Sequence, residues 1–198
     1  MISLALAFII LSIYNYKQQK LFEKVLNYKE VTHYVIGYGF MLYLLIMLKE
    51  IIGFPSISNW IRVLNVQGDI FDPNLSLIPF GNGMLRSDYL NIIMFMPLGV
   101  ILPLMWKKYH HFKYTFQFAF FLSLFIEISQ LFTRFRATDI NDLITNTLGA
   151  CAGWLLYFVF SKLLLRWIQP IPLFQSSKFL SYEPKMYVIV AAVCSFLS

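Results

Sequence analysis

Long apolar runs separated by short polar or basic segments dominate the hydrophobic pattern of this chain. Residues 31–53, 88–106, 114–133 and 141–161 are each long enough to cross a bilayer, because about 20 helical residues span the hydrocarbon core. Residues 2–16 form a shorter apolar run with no basic segment before it, which indicates a retained helix rather than a signal peptide. The pattern predicts an all-α, polytopic membrane bundle of five or six transmembrane helices.

Short interfacial helices are predicted between the apolar runs. Residues 17–30 carry four lysines beside an apolar helical face, which suits a helix on the cytoplasmic surface. A second such helix is indicated by apolar residues that recur at helical spacing, namely Ile57, Trp60, Ile61 and Leu64. Residues 74–80 are predicted to be extended or turned, since a residue that precedes proline avoids the α conformation.

The chain divides into three parts on this pattern. Residues 1–30 form an N-terminal helix with its interfacial segment, and residues 31–161 form the membrane bundle. Residues 162–198 form a basic cytoplasmic segment that ends in an apolar tail. That tail, residues 186–198, is short for a sixth crossing.

Composition supports a membrane protein. Of the 198 residues, 59% are hydrophobic and 13% are charged, whereas a soluble domain has roughly 45–50% apolar residues. The formal net charge of +6 comes from short basic blocks between apolar runs and forms no continuous patch. We therefore expect contacts with anionic lipid head groups and no binding of nucleic acid.

The distribution of lysine and arginine predicts the orientation. Segments 17–30, 107–113 and 162–185 carry four, three and four of these residues, whereas segments 54–87 and 134–140 carry two each. Short loops rich in lysine and arginine face the cytoplasm. The chain is therefore predicted to lie in a cell membrane with segments 54–87 and 134–140 on the exterior.

Polar side chains gather near the exterior ends of the last three long runs. Glu127 and Gln130 share one helical face, and Asp142 and Asn146 share another. Asn91 lies near the start of the run 88–106, at its exterior end. An ionisable residue at membrane depth is unfavourable by about 2.5–3.5 kcal/mol, so such residues indicate function by default. These residues predict an outward-facing polar pocket between three helices.

The loop before residue 140 adds two charged groups to the predicted pocket. Arg136 lies three residues before Asp139 and is the natural counter-charge to the carboxylates. Asp139 and Asp142 equally have the pattern of a helix N-cap and capping box, and capping alone explains that pair about as well as a binding site. Gly149 and Gly153 are more typical of close helix packing than of a ligand contact.

No cofactor is predicted for this pocket. It contains no histidine or cysteine, which disfavours zinc, and the chain lacks the glycine-rich motifs of nucleotide-binding loops. An all-oxygen set suits Mg²⁺ or Ca²⁺, although no loop has the spacing of their known sites. For Asn91 and Gln130, a hydrogen bond between helices is an alternative to a role in ligand binding.

Four polar motifs resemble those of the VanZ-like family of bacterial membrane proteins, at residues 74–80, 91–99, 127–130 and 136–149. They read NLSLIPF, NIIMFMPLG, EISQ and RATDINDLITNTLG. The resemblance covers roughly residues 74–160 and leaves the two ends of the chain, 1–53 and 162–198, outside it. It implies a multi-pass cell-membrane protein of a family whose better-known members lower susceptibility to teicoplanin-type lipoglycopeptides.

Three functions remain open at this stage. The first is an envelope protein whose outward pocket binds a lipoglycopeptide or a lipid-linked wall precursor. The second is an intramembrane enzyme that uses Glu127 or Asp142 as a general acid or base on a lipid-linked substrate. The third is a small transporter or flippase, although no inverted repeat is evident.

Overall fold

The computed structural model describes residues 2–22, 28–67, 70–71, 74–81, 83–133, 138–164 and 182–197. Within them the helices are α1 (Ile2–Phe22), α2 (Tyr28–Ile46), α3 (Ile57–Gln67), α4 (Arg86–Met105), α5 (Phe112–Gln130), α6 (Ile140–Leu164) and α7 (Glu183–Phe196). A π-helical turn (Met47–Ile52) follows α2, and a 3-10 turn (Lys107–His110) precedes α5. Two short strands, β1 (Leu75–Ser76) and β2 (Thr138–Asp139), complete the fold. The predicted all-α class is confirmed.

Three stretches of the described chain are long and apolar enough to cross a membrane: Val31–Val66, Arg86–Met105 and Ile140–Lys162. Leu4–Lys17 is a shorter apolar stretch. Helix α5 is apolar for most of its length but carries Lys113, Gln117 and Glu127. A helical membrane protein is therefore confirmed, and the total of five or six crossings stays a prediction.

The boundary predicted at residue 17 was wrong. Residues 17–22 continue α1 and residues 28–30 begin α2, so they do not form a separate surface helix, and residues 23–27 lie outside the described residues. The physical reason is the absence of a helix breaker, because the stretch from Tyr14 to Phe22 contains no proline or glycine.

The amphipathic helix predicted around Trp60 is confirmed as α3. Its apolar residues Ile57, Ile61 and Leu64 are exposed, which suits a helix in contact with lipid. Trp60 itself packs against Phe196, with ring centroids 4.9 Å apart.

The chain forms two compact units, Met1–Arg62 with Leu173–Ser198, and Val63–Pro172. In the first unit, helices α1, α2 and α7 pack on one another. A buried hydrogen bond joins two of these helices, since His33 Nε2 lies 3.0 Å from Glu183 Oε1 and both side chains are almost fully buried. Tyr14 and Tyr187 are within electrostatic reach of the same carboxylate. Helix α7 is therefore an integral part of this unit although 150 residues separate the two partners.

In the second unit, α6 packs along both α4 and α5, and glycines allow α4 and α6 to approach closely. A methyl group on Gly149 would collide with the carbonyl oxygen of Ile92, and one on Gly153 would collide with that of Met96. From the opposite side, a methyl group on Gly99 would strike the carbonyl oxygen of Ala150. The packing role predicted for Gly149 and Gly153 is confirmed.

The polar connections of this unit meet in a two-stranded parallel sheet. Leu75 pairs with Thr138 and Ser76 pairs with Asp139. The N–H of Thr138 also donates to the carbonyl oxygen of Asn74 at 2.9 Å. The predicted extended conformation of residues 74–80 is confirmed for β1, and this pairing fixes the segment beside the start of α6.

Removal of one partner of the His33–Glu183 pair should destabilise the first unit. Glu183→Leu and His33→Leu each remove the bond between the two helices while the polar group of the other residue stays buried, which lowers the free energy of unfolding by about 1–3 kcal/mol. The double variant should recover most of this loss, because it buries no unpaired polar group. The free energies of unfolding of the two single variants and the double variant are measured on the purified proteins in detergent. A double variant that is no more stable than the less stable single variant would contradict the pairing.

Alanine at Gly149 should also lower stability. The added methyl group forces α4 and α6 apart, which costs about 1–3 kcal/mol in overpacked interiors. Gly39→Ala is the matched control, because a methyl group there meets open space and removes a flexible residue from a helix. Thermal unfolding should show a loss for Gly149→Ala and no loss for Gly39→Ala; equal effects would exclude the close crossing.

Candidate functional site

The site forms where the chain enters α6. Asp139 precedes the first residue of this helix, and its Oδ1 accepts the N–H of Asn141 at 2.9 Å. A carboxylate in this position satisfies one of the helix's unpaired N–H groups and interacts favourably with the helix dipole. The capping role considered for Asp139 is therefore confirmed.

Glu127 of α5 completes the cap from a neighbouring helix. Its Oε2 accepts the N–H of Asp139 at 3.0 Å, and its carbonyl oxygen accepts a hydrogen bond from Thr138 Oγ1 at 3.1 Å. In an ordinary capping box the side chain three residues into the helix, here Asp142, would accept the N–H of the N-cap residue. Here Glu127 accepts this N–H instead of Asp142, and Glu127 is only 4% exposed.

Asp142 faces α4. Its Oδ1 accepts a hydrogen bond from Asn91 Nδ2 at 2.7 Å. Asp139 and Asp142 both lie close enough to Glu127 for their negative charges to act on its carboxyl group. The structure thus brings together four of the residues singled out from the sequence, and three of the four are carboxylic acids.

Asn146 lies one helical turn deeper between α5 and α6. Its Nδ2 donates to Ser123 Oγ at 3.0 Å, and Ser123 itself lies one turn before Glu127. Asn146 is only 3% exposed, and its Oδ1 has no hydrogen-bond partner among the residues the structure describes. A neutral polar layer therefore lies beneath the layer of carboxylates.

The two remaining predicted residues have different outcomes. Gln130 is buried at the end of α5, one turn from Glu127, in agreement with the shared face predicted for them. Arg136 lies outside the described residues, so its role as a counter-charge stays a prediction.

Sequence reasoning missed Asn141 and Ser123. Asn141 Oδ1 accepts the N–H of Phe80 at 2.8 Å, which anchors the turn after β1 to the start of α6. Phe80 has a φ of 52°, in the left-handed region that non-glycine residues rarely adopt. The polar run from Asp139 to Asp142 could have drawn attention to Asn141, but a bond across 61 residues has no local signature.

The arrangement can bind a positively charged or hydrogen-bond-donating group. The groups at its centre are mostly acceptors, and among the described residues no group of three His, Cys, Asp or Glu side chains is arranged to hold a metal ion. A proton held between neighbouring carboxylates is the other chemistry that such a cluster supports.

The chain is similar to known proteins over most of its length. A family model described as VanZ/LLP1 matches residues 4–161. Protein VanZ of Enterococcus faecium is 33% identical over 129 residues, which is 65% of this chain and 77% of that protein. No solved structure matches.

The match corrects one boundary. The sequence-based resemblance began near residue 74 and left residues 1–53 outside it, whereas the family model already matches from residue 4. The reason is that the polar motifs all lie after residue 74, while α1 and α2 consist largely of interchangeable apolar residues. The first two helices are thus part of the family region.

Replacement of Glu127 should separate its hydrogen bond from its charge. Glu127→Gln keeps an oxygen for the N–H of Asp139 and removes repulsion from two neighbouring carboxylates, so its free energy of unfolding should equal or exceed that of wild type. Glu127→Leu leaves a buried N–H unpaired and should lose about 1–3 kcal/mol. Unfolding in detergent tests both, and equal losses in the two variants would contradict the hydrogen-bonding role.

Proposed function

This chain belongs to the VanZ/LLP1 family, and we propose that it is a cell-envelope membrane protein that lowers susceptibility to teicoplanin-type lipoglycopeptides. The proposal includes an outward-facing site centred on Glu127 and Asp142. Membership supports the general class, because the curated relative carries the name of the VanZ protein. The site lies within the matched residues 4–161.

The observation that carries the proposal is the cluster of three carboxyl groups at the site, of which Glu127 is almost fully buried. The N–H of Asp139 needs only an acceptor, and a glutamine at position 127 would supply one without a charge. A carboxylate there is electrostatically unfavourable beside Asp139 and Asp142. A fold that retains such a charge in a buried position needs a compensating proton or bound cation, so the cluster has a use beyond capping.

Orientation follows from the basic segments. Loops rich in lysine and arginine face the cytoplasm, and the segments on the other side, 54–87 and 134–140, contain the site's connecting loops. The site would therefore open toward the outer leaflet, where lipid-linked wall precursors and lipoglycopeptides meet.

The mechanism requires binding without turnover. A ligand bound at the outer surface by Glu127, Asp142 and Asn91 would change the access of the drug to its target. If the ligand is the drug, the protein sequesters it; if the ligand is the wall precursor, the protein shields it from the drug. The turn at Phe80 would form one wall of this site, since its backbone is bound to the start of α6.

Drug susceptibility tests the proposal. A strain lacking its own copy should become less susceptible to teicoplanin when it expresses the wild-type chain, and Glu127→Gln and Asp142→Asn should abolish this protection at matched membrane abundance. Glu50→Gln is the control, because Glu50 is exposed on the π-helical turn and the same chemical change there leaves the site intact.

The outcomes separate the alternatives. Protection that persists in both site variants would exclude the site, and protection lost only with lowered membrane abundance would leave it a structural role. Covalent change in a lipid-linked wall precursor, detected by mass spectrometry in the wild type alone, would favour an enzyme instead.

A further inference from the structure

We propose that this site binds the primary ammonium group of a membrane amphiphile between Glu127, Asp142 and the buried amide of Asn146. The inference rests on the proposed function in using the same site, and it adds the chemical class of the ligand.

The first step is the charge balance. Glu127, Asp139 and Asp142 supply three carboxyl groups, whereas the only basic residues between positions 127 and 146 are Arg134 and Arg136. The donors observed on Glu127 Oε2 and Asp139 Oδ1 are neutral backbone N–H groups, which do not compensate a charge. The three carboxyl groups outnumber these two arginines, so a cationic group that takes the place of a shared proton would be stabilised between them.

The second step is the unsatisfied amide of Asn146. Its Nδ2 donates to Ser123 Oγ, and within the described chain its Oδ1 accepts no hydrogen bond, although Asn146 is only 3% exposed. Ser123 is one turn from Glu127 and Asn146 is one turn from Asp142, so both lie in the seam below the carboxylates. A group with several donors and a positive charge is the complement of this seam.

An ammonium group fits these requirements better than other ions. It has three donors and no acceptor, whereas a phosphate would be repelled by the carboxylates. Calcium requires six to eight oxygen ligands at short distances, and the described residues provide no group of three side chains arranged for a metal.

The surroundings indicate that the ligand is an amphiphile. Leu77 and Ile78 are largely exposed, and they lie in the segment that Phe80 joins to Asn141 at the start of α6. A molecule with an apolar tail can therefore lie against this segment while its amine reaches the carboxyl groups at the start of α6. A lipid head-group amine and an amine-bearing lipoglycopeptide share this chemistry.

The experiment uses the full chain in phosphatidylcholine nanodiscs. Dodecylammonium should raise the thermal midpoint of unfolding with a saturable dependence on concentration, and dodecyltrimethylammonium should not, because it has no N–H donor. Loss of one charge-assisted hydrogen bond should weaken dodecylammonium binding about tenfold in Glu127→Gln and in Asn146→Ala. Glu50→Gln should bind as wild type does.

Several results would overturn the proposal. These are equal stabilisation by the two probes, unchanged binding in Glu127→Gln, and stabilisation by Mg²⁺ or Ca²⁺ in place of the amine. If Asn146→Ala does not accumulate, the comparison of the two probes on wild type decides.

Competition identifies the source of the amine. Displacement of dodecylammonium by phosphatidylethanolamine assigns a lipid head group, and displacement by teicoplanin assigns the drug; displacement by neither overturns the assignment. Binding with unchanged drug susceptibility would refute the proposed function alone, whereas protection that depends on Glu127 without amine binding would refute this inference alone.

Discussion

The second unit depends on the satisfaction of backbone polar groups where its membrane helices are interrupted. A chain in lipid has no water to pair with exposed N–H groups, so irregular backbone survives there only where other groups bind it. Three bonds meet this need at the start of α6: Asp139 N–H to Glu127, Thr138 N–H to Asn74, and Phe80 N–H to Asn141. They join both connecting loops to the helical core.

This constraint explains why the polar residues lie where they do, but it does not explain why so many are charged. Asn141 accepts the N–H of Phe80 with a neutral side-chain amide. Asn91 donates to Asp142 with a neutral side-chain amide as well. A glutamine at position 127 could accept the N–H of Asp139 in the same way, without a charge. The carboxyl group of Glu127 is therefore the feature that helix capping does not explain, and it is the feature on which the proposed function depends.

Much of this arrangement was predictable from the sequence. Glu127, Asp142 and Asn91 could be placed near one another because ionisable and amide groups on apolar helices avoid lipid and face other helices. The close approach at Gly149 and Gly153 followed from the spacing of small residues. The capping role of Asp139 followed from its place before an apolar helical pattern.

What the sequence did not predict depends on partners far apart in the chain. The choice of Glu127 over Asp142 as acceptor for the N–H of Asp139 is made by the packing of α5 on α6, and the His33–Glu183 pair requires α7 to pack on α2. Hydrophobic periodicity does not predict which polar groups pair, because it indicates only which face of a helix is buried. Polar specificity in a mostly apolar protein is therefore set by the few positions where a side chain can reach another segment's backbone or charge, and those positions become visible only when the helices are assembled.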